Sequence, residues 1–337
     1  MADLDKLIRI TSVPYSAFVS VIFGIMIISF PIGAYLVFDS DIGKNIDFHY
    51  PIHGFSFFIG GIPVTVPLSF QLGDAFVIAW SVYIVLFSIS FVGPLGSLTK
   101  TLAYSMYEGF RSLRENGLIN AISWLTILIL FSVAIDYAQR SFGVKIEPPH
   151  FQNGLVQFFL MTTSPITEEL GFRVLLIGIP LFLIFSHRSS LKLFFQSLWR
   201  PSSSLQITDY RKAWALIIAV GIFFGAAHIM SSTPWSAGKI TQATLGGIIL
   251  GWVYTRYGLG PAVIVHWGTN YFVYSYQFLI SALSQAPLSS QASNPFSDTL
   301  EQLLIITGAL AITIKVLTHL KNRKKIQSTA GTSTKES

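Results

Sequence analysis

Long apolar blocks separated by short polar segments dominate the sequence. The blocks cover residues 16–38, 74–97, 118–137, 153–187, 213–231, 237–256, 259–281 and 300–319. Most of them are about 20 residues long, which is the length that an α-helix needs to cross about 30 Å of hydrocarbon. The pattern therefore predicts an all-α, polytopic membrane bundle of about eight transmembrane helices. The fourth block is longer and contains Pro165, where we expect the helix to break or kink.

The positive charges between the blocks predict the orientation of this bundle. With a cytosolic N-terminus and eight spans, the outer loops carry only Lys44, Arg140 and Lys145. The segments on the cytosolic side carry Lys6, Arg9, Lys100, Arg111, Arg114, Arg188, Lys192, Arg200, Arg211, Lys212, Arg256, Lys321, Arg323, Lys324 and Lys325. Lysine and arginine are enriched in cytosolic loops of membrane proteins, so both termini are predicted to be cytosolic.

Composition supports a protein that folds in lipid. Hydrophobic residues make up 52% of the 337 residues and charged residues only 11%, whereas soluble domains carry roughly 25% charged residues. The chain has no cysteine, which excludes disulfides, thiolate metal ligands and a cysteine nucleophile. The net charge of +6 does not indicate a nucleic-acid partner, because the charges lie between the spans. The first block lacks a signal-peptide cleavage site, so we interpret it as a signal anchor that is retained in the membrane.

The pattern divides the chain into four regions. Residues 1–150 form an N-terminal transmembrane region, whose outer loop 39–73 contains two β-prone runs around Gly60 and Gly61. These runs predict a small hairpin on the membrane surface. Residues 151–281 contain the candidate chemistry, residues 282–319 the final transmembrane helix, and residues 320–337 a basic tail that we expect to be disordered.

A few ionisable residues lie inside the predicted spans, where a charge costs roughly 2.5–3.5 kcal/mol. Glu168, Glu169 and Arg173 lie in the fourth block. Glu169 and Arg173 are four residues apart with the acid first, which favours a helical ion pair; such a pair can also be purely structural. Glu168 points about 100° around the helix from Glu169. It therefore needs a cationic partner, a proton, a metal or water.

Two histidines and an asparagine lie in later spans. His228 follows Phe224 and three small residues that allow a neighbouring helix to approach closely. His266 and Asn270 are four residues apart and share a helical face. Each alone is more often a residue that bonds two helices, but together with the glutamates they predict one shared site. On these boundaries His266 lies about 12 Å and His228 about 22 Å from the cytosolic face, so a shared site requires shifted boundaries or a staggered helix.

These residues resemble the CPBP family of intramembrane proteases, which includes the type II CAAX prenyl endopeptidases (Rce1-like enzymes) and the Abi proteins related to bacteriocin immunity. The family pattern is E-E-x-x-x-R, then aromatic-x-x-x-H, then H-x-x-x-N or D. In this chain it reads Glu168-Glu169-Leu-Gly-Phe-Arg173, Phe224-Gly-Ala-Ala-His228 and His266-Trp-Gly-Thr-Asn270. Three motifs in order on separate predicted spans are far more specific than any one of them. Val174 stands where the family commonly has glycine.

The resemblance implies a catalytic role for four residues. Glu168 would activate the attacking water, and His228 would polarise the same water. His266 and Asn270 would stabilise the oxyanion of the tetrahedral intermediate. The implied activity is an intramembrane endopeptidase that hydrolyses membrane-anchored polypeptides, including prenylated CAAX-type ones.

The family also has an older interpretation in which zinc carries the water. In that case Glu168, His228 and His266 would be the metal ligands. In either case Glu169 and Arg173 would orient and support the cluster. We favour the mechanism that depends on glutamate and requires no cofactor, with zinc as the alternative.

Two other functions stay open at the level of sequence. One is a non-catalytic immunity or binding protein of the same fold, and the other is a proton-coupled transporter that uses the glutamates and histidines as a relay. The peptidase hypothesis predicts membrane lipid and a membrane-anchored or lipidated peptide as partners, and a multi-pass protein of the cell membrane. It also predicts a polar cavity that opens to the cytosol or sideways to lipid.

Overall fold

Helices make up nearly all of the chain that the structure describes. The structure is a computed structural model, and it describes residues 2–44, 49–59, 62–93, 96–108, 116–149, 151, 153–186, 190–231, 234–285, 288 and 294–333. The α-helices are α1 (Ala2–Phe38), α2 (Asp41–Lys44), α3 (Leu72–Val92), α4 (Leu98–Glu108), α5 (Gly117–Ser141), α6 (Gly154–Glu168), α7 (Ile179–Phe185), α8 (Leu191–Trp199), α9 (Pro201–Ser204), α10 (Tyr210–Met230), α11 (Lys239–Tyr257), α12 (Leu259–Trp267), α13 (Val273–Ser284) and α14 (Pro295–Ser333).

Eight long helical stretches coincide with the eight apolar blocks. Within the described residues, five helices are long and apolar enough to cross a membrane: Asp3–Phe38, Leu72–Val92, Gly117–Ser141, Tyr210–Met230 and Pro295–Lys324. The prediction of a helical membrane bundle is confirmed. The number of spans and the cytosolic position of the termini stay predictions, because they rest on the charge pattern.

The fourth stretch continues through Pro165 instead of breaking there. Helix α6 contains Pro165, and a π-helix of ten residues, Glu169–Gly178, follows directly and leads into α7. Proline removes one backbone donor from the helix. The helix responds with wider π turns that begin four residues after Pro165. Such π turns are often found at functional sites.

The predicted hairpin is present in the outer loop. Strand β2 (Phe55–Ile59) pairs antiparallel with β3 (Ile62–Val66), with Phe57 opposite Val64, and the short strands β1 (Pro51–Ile52) and β4 (Phe70–Gln71) pair at its base. The turn at Gly60 and Gly61 lies outside the described residues. The expected position was wrong, because β2 lies beside α6 and the π-helix instead of on the membrane surface. The apolar sequence of the hairpin suits such packing against a helix.

The C-terminal tail also differs from the prediction. Instead of becoming disordered at residue 320, α14 continues to Ser333, while residues 334–337 lie outside the described part. Lysine, arginine and glutamine are good helix formers. Adding residues to an existing helix avoids the cost of nucleation, so the final span carries its helix into the basic segment.

The N-terminal helices pack directly behind the candidate site. The indole of Trp267, fully buried, stacks on Phe30 of α1 at 5.4 Å and meets Phe87 of α3 edge-on at 5.0 Å. Tyr83 of α3 donates a hydrogen bond to the carbonyl of Thr162 at 2.6 Å. Helices α1 and α3 therefore hold the helices that carry the motifs from the side opposite to the site, whereas α5 lines the cavity.

Small residues let α10 and α11 pack closely. A methyl group on Gly247 would lie 2.9 Å from the Cα of Gly221, and one on Gly225 would lie 2.8 Å from the carbonyl oxygen of Ile240. The expectation that the small residues before His228 admit a neighbouring helix is confirmed, and Gly247 belongs to the same close contact. This contact fixes the position of His228, which lies at the end of α10.

We predict that Gly247→Ala lowers the free energy of unfolding by about 1–3 kcal/mol, because the added methyl group overpacks the α10–α11 contact. Thermal unfolding of the detergent-solubilised protein measures this change. Gly24→Ala in α1 is the matched control, since no atom lies within 4 Å of its added methyl group. Equal stability of the two variants would contradict the close packing of α10 against α11.

Candidate active site

Two π-helical segments carry the acidic motif and the last motif. Glu169–Gly178 contains Glu169 and Arg173, and Gly268–Phe272 contains Asn270. A π-helix widens the turn to an i→i+5 hydrogen bond. Side chains four residues apart therefore stay close to one face, and both motifs direct polar groups from the middle of otherwise apolar helices toward α10 and α11.

His266 lies between the two glutamates. Its Nδ1 is 2.8 Å from Oε1 of Glu169, and its Nε2 is 3.7 Å from Oε2 of Glu168. A carboxylate only accepts hydrogen bonds, so Nδ1 is the donor to Glu169. Glu168 and Glu169 point in different directions from one helix, and the imidazole of His266 meets both of them.

Glu169 and Arg173 form a fully buried ion pair. The guanidinium Nη1 lies 3.2 Å from Oε1 of Glu169, and the two side chains are 0% and 1% exposed. Arg173 also lies over the ring of Phe224, with 4.3 Å from its Cζ to the ring centroid. The contact with Glu169 is close but is not aligned as a hydrogen bond. Coulombic attraction and the aromatic face therefore compensate this buried cation.

His228 has a defined tautomer. Its Nδ1 lies 2.8 Å from the carbonyl oxygen of Phe224. Because a carbonyl only accepts, Nδ1 carries the hydrogen, and Nε2 of the neutral ring keeps its lone pair. The ring of Phe224 lies 4.7 Å from the imidazole of His228 and 6.0 Å from that of His266, measured between centroids. Phe224 thus contacts the rings of both histidines.

Asn270 is held by a residue that the sequence analysis missed. Its Nδ2 donates to Oγ of Ser164 at 3.0 Å, while Thr269 donates to its Oδ1 at 3.3 Å. Ser164 precedes Glu168 by four residues, so both lie on the same face of α6. The spacing of four residues between Ser164 and Glu168 was the only feature of the sequence that could have identified Ser164 as a site residue. A serine next to an intramembrane acid is, however, common in helices without any site.

One cavity brings the predicted catalytic residues together. It has a volume of about 540 Å³, and Glu168, His228, His266 and Asn270 all line it. Glu169 does not line it. The exposed fractions agree, since the side chain of Glu168 is 19% exposed and that of Glu169 is 0% exposed. Glu168 is therefore the carboxylate that a ligand or water in this cavity can reach.

The shared site thus exists despite the different depths expected for His228 and His266. Those depths were counted along straight helices perpendicular to the membrane, whereas membrane helices tilt by about 20° on average. The π segments shift the helical register as well. Both effects move side chains by several ångströms relative to a straight helix.

The cavity reaches the surface at the end of the bundle where α5 and α10 end. Its lining there includes Arg140 and Pro148, which are exposed, together with Trp235 and Lys239. Lys239 donates to the side chain of Gln242 at 2.7 Å and lies over the indole of Trp235 at 4.1 Å. The mouth therefore combines an aromatic surface with a fixed positive charge.

The zinc alternative was tested against the positions of the side chains. Metal-binding histidines usually donate their second ring nitrogen to a carboxylate or a carbonyl, and His266 and His228 both do so. However, among the residues that the structure describes, no three His, Asp or Glu side chains are grouped closely enough to hold a metal ion. Glu168, His228 and His266 line the cavity but do not form a preassembled ligand set.

Comparison with known proteins gave one match. Residues 151–272 match the family model described as type II CAAX prenyl endopeptidase, Rce1-like. The matched range contains all three motifs. No curated protein and no solved structure matched the chain.

We predict that Arg173→Met lowers the free energy of unfolding by about 3–5 kcal/mol, because it leaves Glu169 buried without its cation. The double variant Glu169→Gln/Arg173→Met recovers most of this loss, since neither charge remains. Thermal unfolding in detergent measures both variants.

Arg140→Met serves as the control for this prediction. Arg140 and Asp136 form an ion pair with the same spacing, but Arg140 is 68% exposed. Its loss is expected to cost below about 1 kcal/mol. A double variant that is no more stable than Arg173→Met would show that the buried charge of Glu169 is not the cause.

Proposed function

We propose that this protein is an intramembrane endopeptidase that hydrolyses membrane-anchored polypeptides with water activated by Glu168, because residues 151–272 match the family model described as type II CAAX prenyl endopeptidase, Rce1-like. One observation carries this proposal. The half-buried side chain of Glu168, the imidazole of His228 and the pair His266 and Asn270 line the same cavity. The family is a peptidase family, which favours hydrolysis over the transport alternative.

In the first step, water in the cavity attacks the carbonyl carbon of the scissile peptide bond. The carboxylate of Glu168 accepts one proton of this water as general base. Nε2 of neutral His228 accepts a hydrogen bond from the other proton, which its tautomer allows because Nδ1 is bonded to Phe224. The new C–O bond moves the carbonyl electrons to oxygen and creates the oxyanion.

The oxyanion needs hydrogen-bond donors. Asn270 supplies Nδ2, whose orientation is set by Ser164. His266 can donate from Nε2 only as an imidazolium, because Nδ1 already donates to Glu169. The carboxylate of Glu169 next to Nδ1 and the oxyanion itself compensate that positive charge. The buried ion pair with Arg173 holds Glu169 in place.

Collapse of the tetrahedral intermediate completes hydrolysis. The oxyanion reforms a carbonyl, the C–N bond breaks, and the proton on Glu168 passes to the leaving nitrogen. The products are a carboxylic acid and an amine, and the acid proton then passes to the amine to give a carboxylate and an ammonium group. Glu168 returns to its ionised state. No metal and no other cofactor takes part in these steps.

The setting of the site accounts for the partners that we propose. The apolar helices of the bundle contact membrane lipid, and the protein is a multi-pass protein of the cell membrane. The substrate is a membrane-anchored or lipidated polypeptide, of which the prenylated CAAX type is one candidate.

We predict that Glu168→Gln lowers kcat by about 100-fold or more, because an amide cannot accept the proton of water. A panel of prenylated and unmodified peptides incubated with the purified protein, with and without a strong zinc chelator, measures this effect. Wild-type cleavage is expected to survive chelation. The matched control is Glu301→Gln, which alters a carboxylate at the edge of the same cavity and retains activity.

Three results would contradict this proposal. Cleavage by Glu168→Gln at the wild-type rate would remove the proposed base. Loss of wild-type cleavage under chelation, restored by zinc, would make these residues metal ligands. A membrane protein that cleaves no peptide, yet keeps its biological activity in Glu168→Ala/His228→Ala, would favour the non-catalytic immunity or binding role.

We further predict that Asn270→Ala lowers kcat by about 10²–10³ with little change in KM, because the lost donor acts mainly on the oxyanion. Steady-state kinetics on the best peptide of the panel separates the two constants. Asn120→Ala is the control, since Asn120 is also a buried asparagine but lies near the start of α5, outside the cavity lining. A change in KM alone would assign Asn270 to substrate binding instead.

A further inference from the structure

The active-site cavity lies at one end of the bundle, and the chain direction of each helix identifies that end. The cavity is lined by the last turns of α5 and α10 and by the first turns of α11 and α14. It is also lined by α6, which precedes the π-helix. In the orientation predicted from the positive charges, each of these helix ends lies on the non-cytosolic side.

The distribution of lysine and arginine over the described helices and loops supports this orientation. The cavity end carries Arg140, Lys145 and Lys239, with Lys44 at the end of α2. The opposite end carries Lys6, Arg9, Lys100, Lys192, Arg200, Arg211, Lys212, Arg256, Lys321, Arg323 and Lys324. Lys321 forms an ion pair with Asp5, which places the ends of α1 and α14 together. An excess of lysine and arginine at one end of the bundle sets the orientation during membrane insertion, with that end on the cytosolic side.

The bundle is closed between the site and the cytosolic end. Arg173 is 1% exposed, and the next turns of the same helical stretch bury Ile177 and Leu181 completely. Tyr254 of α11 is also fully buried and donates to the carbonyl of Leu198 at 2.9 Å. Among the described residues, the path from Glu168 toward the cytosol is therefore filled with side chains. Of the two openings predicted from the sequence, to the cytosol or sideways to lipid, the cytosolic one is not found among the described residues.

The open end is suited to an extended peptide. Exposed Pro148 and half-buried Trp235 lie at the mouth, and the inner wall is apolar around Leu160 and Phe172. Asp136, Arg140, Lys239 and Glu301 bring both signs of charge to the mouth. A mouth with both signs does not select a substrate by net charge.

We propose that this active site faces the non-cytosolic side of the membrane and takes an extended segment of a membrane-anchored protein that is exposed on that side. The proposal rests on the peptidase function and specifies its substrate class. A prenylated CAAX terminus at the cytosolic leaflet would meet the closed end of the bundle. Of the candidate substrates named under the proposed function, this orientation therefore selects polypeptides exposed on the non-cytosolic side over a prenylated CAAX terminus, even if the purified protein cleaves such a terminus in detergent.

The absence of cysteine from the chain allows a direct test of orientation. Glu147→Cys lies in the exposed loop at the cavity end, and Gln206→Cys lies in the exposed loop at the opposite end. Each full-length variant is expressed in bacteria, and the cells are converted to spheroplasts. The spheroplasts are treated with a membrane-impermeant maleimide before or after lysis. Ser141→Cys and Thr208→Cys, also exposed at the two ends, replace a variant that fails to fold.

We expect Glu147→Cys to be labelled in intact spheroplasts and Gln206→Cys only after lysis. The reverse pattern overturns the proposal, and so does equal labelling of both variants, because a fixed orientation is then absent. This readout does not depend on activity. Labelling as expected without any cleavage of peptides in detergent would therefore retain the orientation and reject the peptidase function.

A second measurement tests the substrate. Two single-span reporters carry the same cleavable sequence, one outside and one in the cytosol, and each is coexpressed with wild type or Glu168→Gln. We expect wild type to cut only the outside reporter and Glu168→Gln to cut neither. Cleavage of the cytosolic reporter alone would overturn the proposed side while leaving the peptidase function intact.

Discussion

The buried ion pair between Glu169 and Arg173 is the interaction on which the site depends. Neither charge reaches water, so each requires the other, and removal of one partner is costly. Glu169 uses the same oxygen, Oε1, to accept a hydrogen bond from His266. The pair therefore fixes the tautomer and the direction of this imidazole. The other ring nitrogen is consequently directed toward Glu168 and the cavity.

A division of labour between two adjacent glutamates follows from this arrangement. Glu169 is sealed among apolar side chains, whereas Glu168 borders the cavity. Both lie on one helix in consecutive positions, and the start of the π-helix at Glu169 lies between them. One carboxylate therefore has a structural task in the buried ion pair, while its neighbour is the one that a ligand or water in the cavity can reach.

Helices α1 and α3, which lie outside the matched residues, support the site from behind. Tyr271 and Tyr276 donate hydrogen bonds to the carbonyls of Ser29 and Ile25 in α1, and Trp267 packs against α1 and α3. These contacts hold the helix of His266 from behind. In a membrane, hydrophobic burial adds little between helices, so packing and hydrogen bonds of this kind carry the association.

Much of the fold and of the candidate site could be predicted from the sequence. The features that could not be predicted depend on contacts between helices and on local helix geometry. Block lengths gave the helical bundle, and motif spacing gave the residues that now line one cavity. The hydrogen bond from Asn270 to Ser164 depends on how α6 and the helix carrying Asn270 face each other, which spacing within one helix does not specify. The π turns at Glu169 and Gly268 leave no mark in hydrophobic periodicity, because they change the turn by only one residue. The closed end of the bundle, opposite the cavity mouth, depends on Ile177, Leu181 and Tyr254, which are ordinary apolar residues in the sequence.

The most direct test of the central claim is a structure of the protein bound to a peptide phosphonamidate, a mimic of the tetrahedral intermediate. Such analogues bind much more tightly than substrates when the site stabilises the transition state. We expect a phosphonyl oxygen within about 2.7–3.1 Å of Nε2 of His266 and Nδ2 of Asn270, with Glu168 and His228 next to the oxygen that replaces water. A phosphonyl group bound to a metal ion held by the histidines, or a ligand located outside this cavity, would contradict the account.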